Sequence, residues 1–470
     1  MILKKVIYYP RERWAGNGGY GQLMALAIPL VLGTGAVAVQ HFIDRMFLAW
    51  YAPEALAAAM PAGIVHFTIM GLFMGLATYV TTFVAQYYGA DRPERIGPSI
   101  WQGIYISGLA WIVHLLLIPC APKFFEIVGH DPGVVILEIQ YFQILCLGAG
   151  PMVASGTLGG FFSGRGRSAP VMWISFLISI LNVGLNYILI FGKFGFPEWG
   201  MAGAAWATVI SSGTGLFVYI WLLMRPRFRK KYSTLSGWRL DPQLMYRVFR
   251  FGGPSGVQFF LEHLGFTLFI LLVGRLGMVE LAATNIAFNV NMLAFMPMMG
   301  FGMAISILVG QNLGRDKPDL ASRSVYSGFQ ISFVYMGIVA LLYIFTPGFF
   351  LLPYESQADP ATFAPIAEKT KILLRFVAAY LIFDTLNINF SAGIKGAGDT
   401  KFVMYMITAL SIFALAIPTY LALVVFDRGL YTAWAIVTTH ISLMGVAFWL
   451  RFLTGKWKSM RVIESTAHID

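Results

Sequence analysis

Polar residues come in short bursts along this chain, and between them lie twelve long apolar runs. The first six cover roughly 20–49, 56–86, 97–121, 134–160, 168–192 and 200–224. The second six cover roughly 251–274, 280–311, 323–350, 372–395, 402–425 and 430–453. Each is long enough to cross a hydrocarbon layer of about 30 Å as a helix. Strands of a membrane barrel would be shorter, about ten residues, and would alternate in polarity. The runs show no such alternation, so the pattern predicts an all-α membrane protein of twelve transmembrane helices. Composition agrees: 58% of residues are hydrophobic and 12% charged, against about 25% charged in an average soluble domain. The mean hydropathy of +0.71 has the same meaning.

Charge adds an orientation. With the N-terminus inside, most of the 33 Lys and Arg residues fall in inner segments, including Lys4, Lys5, Arg92, Arg95, Lys395 and the eight between Arg225 and Arg250. Basic residues favour cytoplasmic loops, which predicts a multi-pass protein of the cell membrane with both termini cytoplasmic. The net charge of +11 therefore does not indicate nucleic acid, because it is spread between apolar runs. The segment 225–250 divides the chain into an N-terminal lobe (1–224) and a C-terminal lobe with a tail (251–470). Within it, Asp241 and Pro242 suit the N-cap and first position of a helix. That helix would lie on the inner surface against anionic lipid. The N-terminal stretch MILKKVIYYPRERW has no apolar core with a cleavage site, so no signal peptide is expected. Cys120 and Cys146 lie in apolar runs without metal or CxxC spacing and read as small buried residues.

The two halves repeat. FVAQYYGADRPE from Phe83 pairs with LVGQNLGRDKPD from Leu308, and at the same spacing Pro29 pairs with Pro254. SGRGRSAPVM from Ser163 pairs with KGAGDTKFVM from Lys395 at a slightly larger spacing. Each copy holds an even number of runs, so both share one orientation, with an axis along the membrane normal and a site near the midplane.

Three carboxylates lie well inside apolar runs: Asp44, Glu262 and Asp384. Placing an ionised side chain there costs about 2.5–3.5 kcal/mol on insertion scales, so such a residue usually faces protein or a wet cavity and serves function. Helical spacing gives each one polar company. Gln40 and His41 share the face of Asp44, Gln258 that of Glu262, and Tyr380, Asn387 and Ser391 that of Asp384. Asn182 with Asn186, and Asn285 with Asn289, form further polar pairs one turn apart, which could equally join helices by hydrogen bonds. The repeat does not duplicate the acids, which argues against a structural role common to both halves. His66, His114 and His440 read as lone packing residues, and His263 points about 100° away from Glu262. The sequence contains no nucleophile with its base, no HExxH and no phosphate loop, so it is not expected to be an enzyme.

In order along the chain, FIDRMFLAW, VAQYYGADRPE, GFFSGRGRSAPVMWISFLISILNVGLNYILIFG, GMAGAAWATVIS, FGGPSGVQFFLE, LVGQNLGRDKPD and FDTLNINFSAGIKGAGDT resemble the multidrug and toxic compound extrusion family, in its NorM-like branch. The resemblance covers roughly residues 20–450. It implies two pseudo-symmetric six-helix lobes, alternating access, and export of organic, often cationic, compounds in exchange for Na+ or H+. It assigns Glu262 and Asp384 to a cation site of the second lobe, and Asp44, Asn182 and Asn186 to a first-lobe cavity. Arg45 after Asp44 and His263 after Glu262 depart from the family pattern.

A carboxylate in a low-dielectric medium holds a proton more readily, and its oxygens also suit a small alkali cation. Exchange between such an ion and a drug cation couples the two when they stabilise different conformations. Phe259, Phe288, Met292 and Met296 are candidates for an adaptable cavity wall, although core packing is the favoured reading for any one of them. No cofactor beyond the coupling ion is expected; the expected partners are small organic cations and membrane lipids, and the expected state is a monomer. The alternative is a flippase for lipid-linked sugars or lipids. It calls for basic residues at depth, whereas the deep charges here are acidic. An intramembrane enzyme lacks its catalytic pair, and a channel would leak without a gradient.

Overall fold

The computed structural model describes residues 10–128, 130–355 and 360–464; Lys4 and Lys5 lie outside them. Among the described residues every regular element is helical. Twelve helices are long and apolar enough to cross a membrane. They are α1 (Tyr20–Tyr51), α2 (Glu54–Gly89), α3 (Pro93–Ile127), α4 (Pro132–Gly164), α5 (Ala169–Phe191) and α6 (Gly200–Leu223). After them come α7 (Pro242–Gly274), α8 (Met278–Gly314), α9 (Pro318–Phe345), α10 (Ala361–Ala397), α11 (Thr400–Val425) and α12 (Leu430–Leu453).

The predicted surface helix is not a separate element. Asp241 does cap it, accepting a hydrogen bond from the Leu244 N–H at 3.0 Å, but the helix runs on without a break as α7. Gly252, Gly253 and Pro254 do not interrupt it, because small residues there serve a close approach to α2. A Cβ on Gly256 would lie 2.3 Å from the Leu72 carbonyl oxygen, and one on Gly75 2.7 Å from that of Ser255. Backbones this close gain dispersion contacts that larger side chains would prevent.

The chain forms two compact units, and their limits fall inside helices. The C-half unit comprises Met1–Ala27, Leu261–Leu313 and Lys317–Arg461; the N-half unit comprises Ile28–Phe260, Gly314–Asp316 and Val462–Asp470. In the C-half unit Trp434 is fully buried. It stacks on Phe288 with ring centroids 4.8 Å apart, and its Nε1 donates to Thr284 Oγ1 at 3.2 Å. The N-half unit has a core of Tyr79, Phe83, Tyr87, Phe161, Phe162 and their neighbours.

The sequence repeat is visible in the backbone. Asp91 and Asp316 both have φ of +54°, a left-handed conformation that a short polar side chain tolerates. One residue on, the Arg92 N–H bonds the Tyr87 carbonyl at 3.0 Å and the Lys317 N–H bonds that of Asn312 at 2.9 Å. At the second pair of markers, Gly166 and Gly398 both have positive φ. There the Arg167 and Asp399 N–H groups bond the Phe162 and Ile394 carbonyls, each at 3.0 Å.

Candidate functional site

Asp44 stands in the last two turns of α1, where the hydrophobic pattern forces it toward other helices of its unit. Asn186 of α5 donates a short hydrogen bond to its Oδ1. The same Asn186 amide donates to Asn182 Oδ1 at 3.0 Å, and Asn182 reaches Thr208 Oγ1 at 3.3 Å and Ser211 Oγ at 3.5 Å on α6. Gln40, one turn before Asp44, accepts from Ser179 Oγ at 3.1 Å. The expected Asp44–Asn182–Asn186 group is thus a continuous polar chain across α1, α5 and α6. Both asparagines are completely buried. Tyr141 of α4 lies close enough to feel the Asp44 charge. Arg45 is exposed, and the imidazole of His41 comes within 3.9 Å of Asp44.

In the C-half unit Asp384 is 7% exposed within α10, and Asn387 Nδ2 donates to its Oδ1 at 3.0 Å. Tyr380, one turn earlier, is buried as well, and the two side chains interact electrostatically. Glu262 of α7 is exposed, and its charge reaches both Asp384 and Lys395. Two carboxylates distant in sequence therefore interact electrostatically, and Glu262 also interacts with Lys395, three turns further along α10 than Asp384. An arrangement of two acids, an amide and a phenol can hold a proton or a small cation by oxygen ligation.

The other predicted residues are distributed more widely. Gln258 is buried, one turn before Glu262. Asn285 and Asn289 lie on an exposed stripe of α8. Phe259 packs on Gly71 and sits 5.7 Å from the Phe67 ring. Phe288 is part of the Trp434 stack; Met292 is half exposed and Met296 partly buried.

Several residues escaped sequence reading. Thr208 and Ser211 look like ordinary small polar residues until α6 lies against α5. Glu138, which does not stand out in the sequence, is fully buried, with Oε1 2.8 Å from His130 Nδ1. Lys395 was counted among loop cations, whereas it lies inside α10, three turns beyond Asp384. His66 and His114 are not lone residues: their rings meet edge to face with centroids 5.3 Å apart. Cys120 is exposed rather than buried.

Residues 29–188 and 254–421 match the MatE family. A protein of Bradyrhizobium diazoefficiens described as a probable multidrug resistance protein NorM is 28% identical over 449 residues, 92% of this chain and 90% of that protein. Among solved structures, an outward-facing multidrug resistance MATE family transporter of the MOP superfamily matches with a TM-score of 0.84 at 20% identity. That match covers 96% of this chain and 98% of the other. A MOP superfamily transporter from Pyrococcus furiosus, whose binding pocket is described as having reverse polarity, matches at 0.85 and 20% identity with the same coverage. These structures share the twelve-helix fold of this chain.

Proposed function

The chain belongs to the MatE family, and from that premise we propose that it exports organic cations by alternating access, driven by inward movement of Na+ or H+. The observation that supports this reading is that Glu262 and Asp384, on two predominantly apolar helices, interact electrostatically. Two neighbouring carboxylates resist being ionised together. A proton or alkali cation relieves that repulsion, and so does an organic cation. Occupancy by one ligand therefore weakens binding of the other, and exchange follows if each favours a different conformation. Asn387 fixes the orientation of Asp384. The Asp44–Asn186 chain offers a second polar site that takes part in binding or releasing the cargo. On this reading both termini are cytoplasmic, supported by the bias of Lys and Arg, and the monomer is the working unit.

The test is dye efflux from proteoliposomes with Na+ and proton gradients imposed separately. At least one of the two gradients should drive efflux in the wild type. Glu262→Gln and Asp384→Asn should each abolish it while the protein remains folded in the membrane. Full transport by both variants removes the coupling role.

A further inference from the structure

The segment after α12 enters a pocket at Glu464 that the proposed transport chemistry does not use. Arg92 lies between α2 and α3, Arg95 in the first turn of α3, and Arg247 in the second turn of α7. All three surround one carboxylate, that of Glu464. Arg92 Nη2 reaches Oε1 at 2.7 Å and Arg95 Nε reaches it at 3.4 Å, while Arg247 Nη1 bonds Oε2. The Tyr87 hydroxyl donates to Oε2 at 2.7 Å. The other charged group at the pocket is Asp241, the α7 cap, 3.1 Å from Arg95 Nη2. The peptide is fixed through its backbone as well: the Val462 N–H donates to Gln86 Oε1 at 2.8 Å. The Val462 side chain is 1% exposed and joins a core that includes Tyr87, Leu244 and Val248.

Three guanidinium groups converging on a half-buried point repel one another unless an anion sits among them. Burial by itself would raise the Glu464 carboxyl, but the Tyr87 and Arg247 hydrogen bonds and the Arg247 charge outweigh it and hold the group down at about 2. We propose that Arg92, Arg95, Arg247 and Tyr87 form a carboxylate-receiving pocket whose ligand is the chain's own tail, and that docking of Glu464 holds the start of α7 in place. The consequence reaches the coupling acid, because Glu262 stands on the same helix. When Glu464 is lost, Arg92 and Arg247 lose their counter-ion and only Arg95 keeps one, Asp241; the repulsion pushes the start of α7 outward and misplaces Glu262. The proposal rests on the transport reading only for its efflux measurement.

Hydrogen exchange on the full-length protein in lipid nanodiscs reads docking, and proteoliposome dye efflux reads its consequence. In Glu464→Ala the Val462 amide and the first turns of α7 should exchange roughly tenfold faster or more, as expected for losing hydrogen bonds between charged groups. The maximal efflux rate should fall about threefold or more while the KM for dye stays unchanged, because a displaced α7 slows turnover without touching the dye contacts. Acetate should restore slow exchange in this variant by filling the vacated pocket, and chloride at equal ionic strength should not. In a chain ending at Arg461 the first turns of α7 should exchange as fast as in Glu464→Ala, and efflux should fall to the same extent. Wild-type exchange in either variant overturns the pocket, and faster exchange with unchanged efflux overturns its link to transport. If even the wild type fails to transport the dye, the transport reading fails while the exchange result still decides the docking.

Discussion

Asn186 is the link between the carboxylate and the rest of the first polar cluster, since one amide serves both Asp44 and Asn182. Replacing it with alanine strips a charged hydrogen bond worth about 1.5–3 kcal/mol. Asn186→Ala should therefore lower efflux by about tenfold, measured as dye transport per reconstituted molecule, and Asp44→Asn should weaken it too. At the tail, Glu464 is depressed from 4.5 to about 2. A depressed carboxylate contributes stability above its unfolded value, and that contribution is lost as pH falls through the folded one. Docking of the tail should thus be constant between about pH 5 and 8 and should fail only toward pH 2, followed by Val462 amide exchange. The three deep acids were legible in the sequence because a charge inside an apolar run stands out. Glu138 and Lys395 were not, because run limits are uncertain by a few residues and both lie near them. The His66–His114 contact was illegible for another reason: its partners are on different helices.

Helices impose their own tests. Gly256 lies so close to Leu72 that a methyl group has no room. Gly256→Ala should cost about 1–3 kcal/mol, seen as a lower Tm of the purified protein in detergent. Trp434→Ala should cost more, about 3–5 kcal/mol, because a buried aromatic leaves a cavity. The apolar runs placed all twelve helices correctly but misjudged the start of α7, where the polar residues of 242–250 hid a continuous helix. Hydropathy responds to the solvent around a residue, whereas helix continuity depends on local backbone geometry.

For the molecule as a whole, the discriminating measurement is which imposed gradient drives export. Na+ alone, H+ alone or both is an outcome that the acids by themselves leave open, because carboxylate oxygens take either ion. The flippase alternative predicts translocation of a lipid-linked sugar without an ion gradient. The acidic character of the deep residues disfavours it, while Lys395 near Glu262 makes the balance of charge less one-sided than the sequence implied. Mutating Lys395 to Gln should leave Glu262 without its nearby cation, and dye efflux should then become more sensitive to Na+ or proton concentration.

The sequence by itself determined the fold class, the internal repeat and the identity of the deep acids, because lipid burial demands long uninterrupted apolar helices and taxes every charge placed in them. Tertiary structure alone decided which side chains meet. It brought Asn186 of α5 to Asp44 of α1, put Glu262 of α7 within electrostatic reach of Asp384 of α10, and closed three arginines around Glu464. Helical periodicity specifies the face on which a residue lies, but the neighbour opposite that face is chosen by packing between segments far apart in the chain.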